Sequence, residues 1–179
     1  MATLSKKHQR LLFSLVFLVF WVIFVPNDIG MEEAKEIQKP EVSNFEKSRV
    51  LRVVDGDTIE IEGGQKVRYI GIDTPETVDP RREPQCFGKA ASQANSDLVA
   101  EQEIYLEKDV SETDRYGRLL RYIYLATDSA SINEQLVRDG YAVASSYPPD
   151  VKYQEKFKEA EEEARANQRG LWQEDLICD

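Results

Sequence analysis

The sequence predicts an α+β protein that is mainly β: a small five-stranded barrel with about three helices, behind an N-terminal hydrophobic segment. Three observations carry this. Five runs between Ser48 and Leu125 have strand character and are punctuated by turn residues. Three other runs have helical spacing. Five strands with helices inserted and appended are too few for a two-sheet sandwich, and a small, partly open barrel fits them best.

The elements follow in order. "SRVLRVVDGD", residues 48–57, is a strand running into an Asp-Gly turn. "TIEIEGG", 58–64, alternates and ends on Gly63-Gly64, a hairpin signal. "QKVRYIGID", 65–73, is the third strand, with Val67, Tyr69, Gly71 and Asp73 on one face and Arg68, Ile70 and Ile72 on the other. Residues 77–86, "TVDPRREPQC", hold two prolines and two adjacent arginines and form a loop. In "FGKAASQANSDLVA", Phe87, Ala91, Ala94 and Leu98 repeat at helical spacing. "QEIYLEK" is a strand, and "DRYGRLLRYIYL" begins as a turn and continues as one. Ser131 and Glu134 form a capping box for a second helix, whose apolar face is Ile132, Leu136 and Val137 and whose stop is Gly140. A last helix covers about 151–168, with Tyr153, Phe157, Ala160 and Ala164 inward, and Trp172 packs back on the core. A partly open barrel of the OB type with helices fits this order.

The 179 residues divide into three stretches: 1–30, a signal peptide or signal anchor; 31–47, a charged tether; and 48–177, the barrel domain. Lys6, Lys7 and Arg10 precede "LLFSLVFLVFWVIFV", Leu11 to Val25, which Pro26 ends. Fifteen apolar residues are short for a spanning helix and right for a signal. No small-x-small cleavage site stands out, so the sequence leaves open membrane anchoring through residues 11–25 and cleavage with secretion. Either route places the rest outside the cytoplasm. Export would permit a disulfide between Cys86 and Cys178, and two thiols are the alternative. Residues 1–30 hold three of the 23 basic residues and one of the 33 acidic ones, leaving 20 basic against 32 acidic and a net −12. Bulk charge therefore does not attract nucleic acid, and any phosphate site must be local. Monomer is the expected state.

Elimination narrows the chemistry. The only histidine, His8, lies in the targeting segment, so the barrel domain has no histidine base, metal ligand or triad. Two cysteines far apart make no zinc site, and G-x-S-x-G and Walker A motifs are absent. Carboxylates, arginines, tyrosines and lysines remain. "DGDT" supplies Asp55 and Asp57; the third strand and its turn supply Asp73 and Glu76. If the first and third strands are neighbours, Asp57 and Asp73 converge. Paired carboxylates repel unless a cation lies between them, and oxygen donors select Ca²⁺ or Mg²⁺. Thr74 adds a backbone carbonyl, held extended by Pro75.

Each piece alone is ordinary; their order is not. "VVDGDT", "VRYIGIDTPET", "TDRYGR", "INEQLVRDG" and "GLW" together resemble the staphylococcal nuclease (thermonuclease) family over roughly residues 48–175. The resemblance implies an OB barrel with three helices. It implies that Asp57, Asp73 and the Thr74 carbonyl hold Ca²⁺, that Arg68 and Arg118 clamp the scissile phosphate, and that Glu76 orients or deprotonates the attacking water. Tyr116 and Tyr147 would lie near phosphate and sugar. It further implies cleavage of DNA and RNA, single-stranded or locally open, leaving 3′-phosphate ends. Two departures stand out. Ser145 replaces a tyrosine common in the family, which reduces stacking surface. The acidic balance contrasts with basic secreted relatives, so weaker binding and stronger salt dependence are expected. Arg81, Arg82 and Lys89 either offset this locally or serve loop solubility. The alternative function, an inactive tethered binding module, would be marked by loss of one of Asp57, Arg68, Asp73, Glu76 or Arg118, and all are present.

Overall fold

The computed structural model describes residues 44–77 and 85–174. The hydrophobic segment 11–25, most of the tether, Arg81, Arg82 and Cys178 lie outside them. Among the described residues no helix is long and apolar enough to cross a membrane.

Five strands close a barrel. They are β1 (Glu46–Asp55), β2 (Thr58–Ile61), β3 (Lys66–Tyr69), β5 (Glu103–Glu107) and β6 (Leu119–Tyr124), in the order β1-β2-β3-β6-β5. All contacts are antiparallel except β3 with β6, where Val67 pairs with Leu119. Closure leaves the barrel no free edge. Its interior is apolar: Val50, Ile59, Ile61, Val67, Ile104 and Ile123 are all at most 2% exposed. Burying such side chains contributes roughly 1.5–3 kcal/mol each. Phe45 packs on Tyr124 with ring centroids 5.5 Å apart, so the barrel's packing begins before residue 48.

Three helices pack on the barrel: α1 (Gly88–Val99), α2 (Ile132–Arg138) and α3 (Gln154–Ala166). Helix α1 buries Ala91, Asn95 and Val99, so its inward stripe runs through an asparagine; Ala94 and Leu98 flank it. Helix α2 starts as its sequence indicates, with Ser131 Oγ accepting from Glu134 N at 3.1 Å. The Glu134 carboxylate turns to Arg138 and Lys156. Helix α3 buries Phe157, Ala160 and Ala164. Trp172 lies under the Arg165 guanidinium, 3.6 Å from its ring centroid, rather than in the core cluster.

The expected third strand is two strands. Gly71 has φ +79°, and β4 (Ile72–Asp73) leaves the barrel to pair with β7 (Val143–Ala144). A Cβ at residue 71 would meet the Phe157 ring at 2.7 Å, so only glycine fits both the backbone and α3. The strict two-face alternation therefore ends at the kink. Ile70 and Ile72 are buried, and Asp73 swings toward Arg68.

Candidate active site

The site is built where β1 turns into β2, against the end of β3. Asp55 closes β1, and Gly56 and Asp57 make the turn. Strands β1 and β3 are not neighbours, because β2 lies between them. The turn reaches β3 directly instead: Tyr69 N donates to Asp57 O at 3.0 Å. Gly56 is required by close approach, since a Cβ there would fall 2.7 Å from Thr74 Oγ1. This contact joins the "DGD" and "DTP" segments. Thr74 N and Oγ1 donate to Asp57 Oδ2 at 2.9 and 3.0 Å, and Thr58 Oγ1 donates to Asp57 Oδ1 at 3.2 Å. Asp57 is 2% exposed and fixed on both oxygens.

Arg68 joins the carboxylates. Its Nη1 contacts Asp57 Oδ1, and its Nη2 donates to Asp73 Oδ1 at 2.6 Å and to Ile72 O at 3.3 Å. Burial pulls this guanidinium below its usual pKa, and Asp73 opposes the shift.

Beneath these groups is a buried polar ladder. Tyr69 Oη donates to Asn95 Oδ1 at 2.9 Å, and Asn95 Nδ2 donates to Asp55 O at 3.0 Å. The Asp55 carboxylate accepts from Gly56 N at 2.8 Å and Thr77 Oγ1 at 2.6 Å. Burial raises its pKa, and neighbouring Glu76 adds to the rise against those two hydrogen bonds. Glu76 is oriented by its surroundings: its Oε1 accepts from Thr77 N at 3.0 Å, and its own N–H donates to Gln85 Oε1 at 2.9 Å.

Arg118 arrives from the other side, on the "TDRYGR" turn. Asp114 Oδ1 accepts from Tyr116 N (2.8 Å) and Arg118 N (3.0 Å), and its Oδ2 accepts from Arg118 Nε at 2.6 Å. Burial alone would raise the Asp114 pKa; the hydrogen bonds from Arg118 and Tyr116 outweigh it and hold the carboxyl below its usual range. Arg115 lies over the Tyr116 ring, 4.8 Å from its centroid, and donates to its hydroxyl at 2.6 Å.

Two cavities share the two arginines. One, of about 280 Å³, is lined by Asp55, Asp57, Asp73, Thr74, Glu76, Arg68 and Arg118. The other, of about 500 Å³, is lined by Arg68, Arg118, Asp114, Tyr116, Ser145 and Tyr147 among others. Tyr116 and Tyr147 are 69% and 76% exposed, as binding faces rather than core residues would be. Every site residue expected from the sequence thus falls on one of two connected cavities. Sequence reasoning missed Asn95, Tyr69 and Thr77 as supports, and Asp114 as the anchor of Arg118. The Asp114 signal was legible: an aspartate followed by Arg-Tyr-Gly-Arg fits a turn in which its carboxylate caps the following amides.

Such an arrangement, two guanidiniums, clustered carboxylates and exposed tyrosines on an OB barrel, defines a phosphodiester hydrolase class. The staphylococcal nuclease homologue model matches residues 66–174. The chain is 40% identical over 133 residues to the thermonuclease of Staphylococcus hyicus, covering 73% of this chain and 78% of that protein. It is 42% identical over 127 residues to the thermonuclease of Staphylococcus intermedius, covering 69% and 74%. Endonuclease YncB of Bacillus subtilis (strain 168) is 42% identical over 126 residues, covering 68% of this chain and 59% of that protein. The chain belongs to the staphylococcal nuclease family, and it is a nuclease, a phosphodiesterase.

Proposed function

We propose that the chain is a Ca²⁺-dependent nuclease that hydrolyses DNA and RNA with little sequence preference and leaves 3′-phosphate ends. The observation that carries this reading is the single cavity uniting Asp57, Asp73, Thr74, Glu76, Arg68 and Arg118.

The residues fit a hard cation. Asp57 and Asp73 converge on one positive group, the Arg68 guanidinium, so the pair is arranged to accept positive charge. Both are oxygen donors, as Ca²⁺ prefers. Asp57, Asp73 and the Thr74 carbonyl would hold the ion. When bound, it would neutralise phosphate charge and polarise water.

The protein's own groups supply the rest. Attack of water on a phosphodiester builds negative charge on the phosphoryl oxygens. Arg68 and Arg118 would receive it, since a planar guanidinium donor fork matches phosphate geometry. Asp114 holds Arg118 in place before substrate arrives, which avoids reorganisation at the moment of reaction. Glu76 would accept the water proton, oriented by Thr77 and Gln85. Tyr116 and Tyr147 offer ring faces to a base or sugar, a sequence-tolerant contact that suits single or locally open strands.

The site of action is taken to be outside the cytoplasm, anchored through residues 11–25 or secreted after cleavage. The basic residues Lys6, Lys7 and Arg10 ahead of the apolar run support this. The test is incubation of the purified chain with single-stranded DNA in Ca²⁺ and in EGTA, followed by end-group analysis. Cleavage only with Ca²⁺ and 3′-phosphate termini support the reading. Equal cleavage in EGTA, or 5′-phosphate termini, would overturn it.

A further inference from the structure

A third cavity, of about 490 Å³, lies between β1 and α1 and belongs to neither half of the site above. One wall is Leu51 and Arg52 of β1. The other is an outward stripe of α1: Lys89, Ser92, Gln93 and Ser96, which recur at three- and four-residue spacing while Ala91, Asn95 and Val99 turn inward. Thr77 lines the end nearest the site. Its hydroxyl is bonded to Asp55 and its amide to Glu76. The groove therefore begins one residue from the carboxylate assigned to the attacking water.

We propose that this groove binds the part of the substrate strand lying on the far side of the scissile phosphate from Tyr116 and Tyr147. The inference rests on the nuclease reading. The tyrosine cavity shares Arg68 and Arg118 with the carboxylate cavity, and Thr77 of the groove follows Glu76 of the carboxylate cavity in the chain and bonds its Asp55. A strand with its base on the tyrosines and its phosphate on the arginines continues toward Thr77.

The groove's chemistry suits a sugar-phosphate chain. Lys89 has no carboxylate partner among the described residues and is exposed. Arg52, with a side chain 57% exposed, is steadied by Glu60 at 2.5 Å. Ser92, Gln93 and Ser96 add neutral donors along the wall, and Leu51, 52% exposed, offers an apolar surface to a base. Two cations facing one groove are a local exception in a chain of net charge −10. Glu101 lines the far end, so the favourable stretch is short. Lys89 to Ser96 spans seven residues, roughly 10 Å of helix, which is room for one or two nucleotides.

The experiment compares a single-stranded dinucleotide with versions lengthened at one end or the other by two nucleotides joined through uncleavable linkages. It uses the full-length chain, Lys89→Glu, and Lys89→Arg as the charge-preserving control. For the wild type, lengthening at either end is expected to raise kcat/KM. In Lys89→Glu the gain from one end only falls by about fivefold or more, while the dinucleotide is cleaved as before; Lys89→Arg keeps the gain. For that longer substrate, the salt dependence of log KM also flattens by about 0.7 for each lost phosphate contact. Unchanged gains at both ends, or a uniform loss on every substrate, would overturn the groove. A wild-type chain that cleaves none of these substrates would overturn the nuclease reading itself, and the groove with it.

Discussion

Arg68 Nη2 lies 2.6 Å from Asp73 Oδ1, while Nη1 of the same guanidinium contacts Asp57. The arginine assigned to the phosphate thus rests on the two carboxylates assigned to the cation. The proposed divalent ion would draw on carboxylates that this guanidinium already holds, so the two would compete there. Removing the guanidinium should leave Ca²⁺ affinity equal to or tighter than wild type, while a mononucleotide binds more weakly. Calorimetric titration of Arg68→Ala checks both. A tenfold weaker Ca²⁺ affinity would show that Arg68 supports the carboxylates rather than competing for them.

Arg118 depends on Asp114 for its position. Arg118→Ala is expected to lower kcat by about 10²–10³, the usual cost of losing one donor aimed at developing charge. Asp114→Ala keeps the guanidinium but removes its anchor, and should cost about tenfold or more through misplacement. Steady-state kinetics on single-stranded DNA, with circular dichroism as the folding control, separates the two losses.

The ladder under the site is a stability element as well as a support. Asn95 satisfies the Tyr69 hydroxyl and the Asp55 carbonyl, all three buried. Asn95→Ala removes both hydrogen bonds and leaves the buried Tyr69 hydroxyl without its Asn95 acceptor, at about 1–3 kcal/mol for an unsatisfied buried group. Urea denaturation should show a lower midpoint with an unchanged slope. Tyr69→Phe, which strands only one side of Asn95, should cost less.

Acid should loosen the contact between Glu112 and Arg121. Glu112 is pulled down to about 2 by its hydrogen bond to Arg121, with Lys108 adding to the effect. A carboxylate depressed in the folded state contributes stability above its ordinary pKa, near 4.5, and loses it as pH falls through about 2. Glu112 is exposed, so salt screens the contribution. Melting temperatures between pH 5 and pH 2 should fall less steeply for Glu112→Gln than for wild type, and the difference should shrink in high salt.

Much of this was legible in the chain. The Asp-Gly and Gly-Gly turns marked β1 to β3, and Ser131 with Glu134 marked the start of α2. What alternation could not supply was the bend at Gly71. A period-two pattern places Arg68 and Asp73 on opposite faces, yet a left-handed glycine between them brings the side chains together. The two-residue β7 carries too little pattern to be read. Asn95 was hidden for another reason: a polar residue on a helix reads as surface, and only the packed structure shows its partners.

The most direct measurement is the cleavage rate of single-stranded DNA in saturating Ca²⁺ by wild type and by Glu76→Gln, each verified as folded. Glu76 accepts no role in the barrel's apolar core, so the variant should fold normally and lose about 10²–10⁴ in rate, as expected when a general base is removed. A folded Glu76→Gln chain that cuts as fast as wild type would contradict the assignment of this cavity as the place where water is activated.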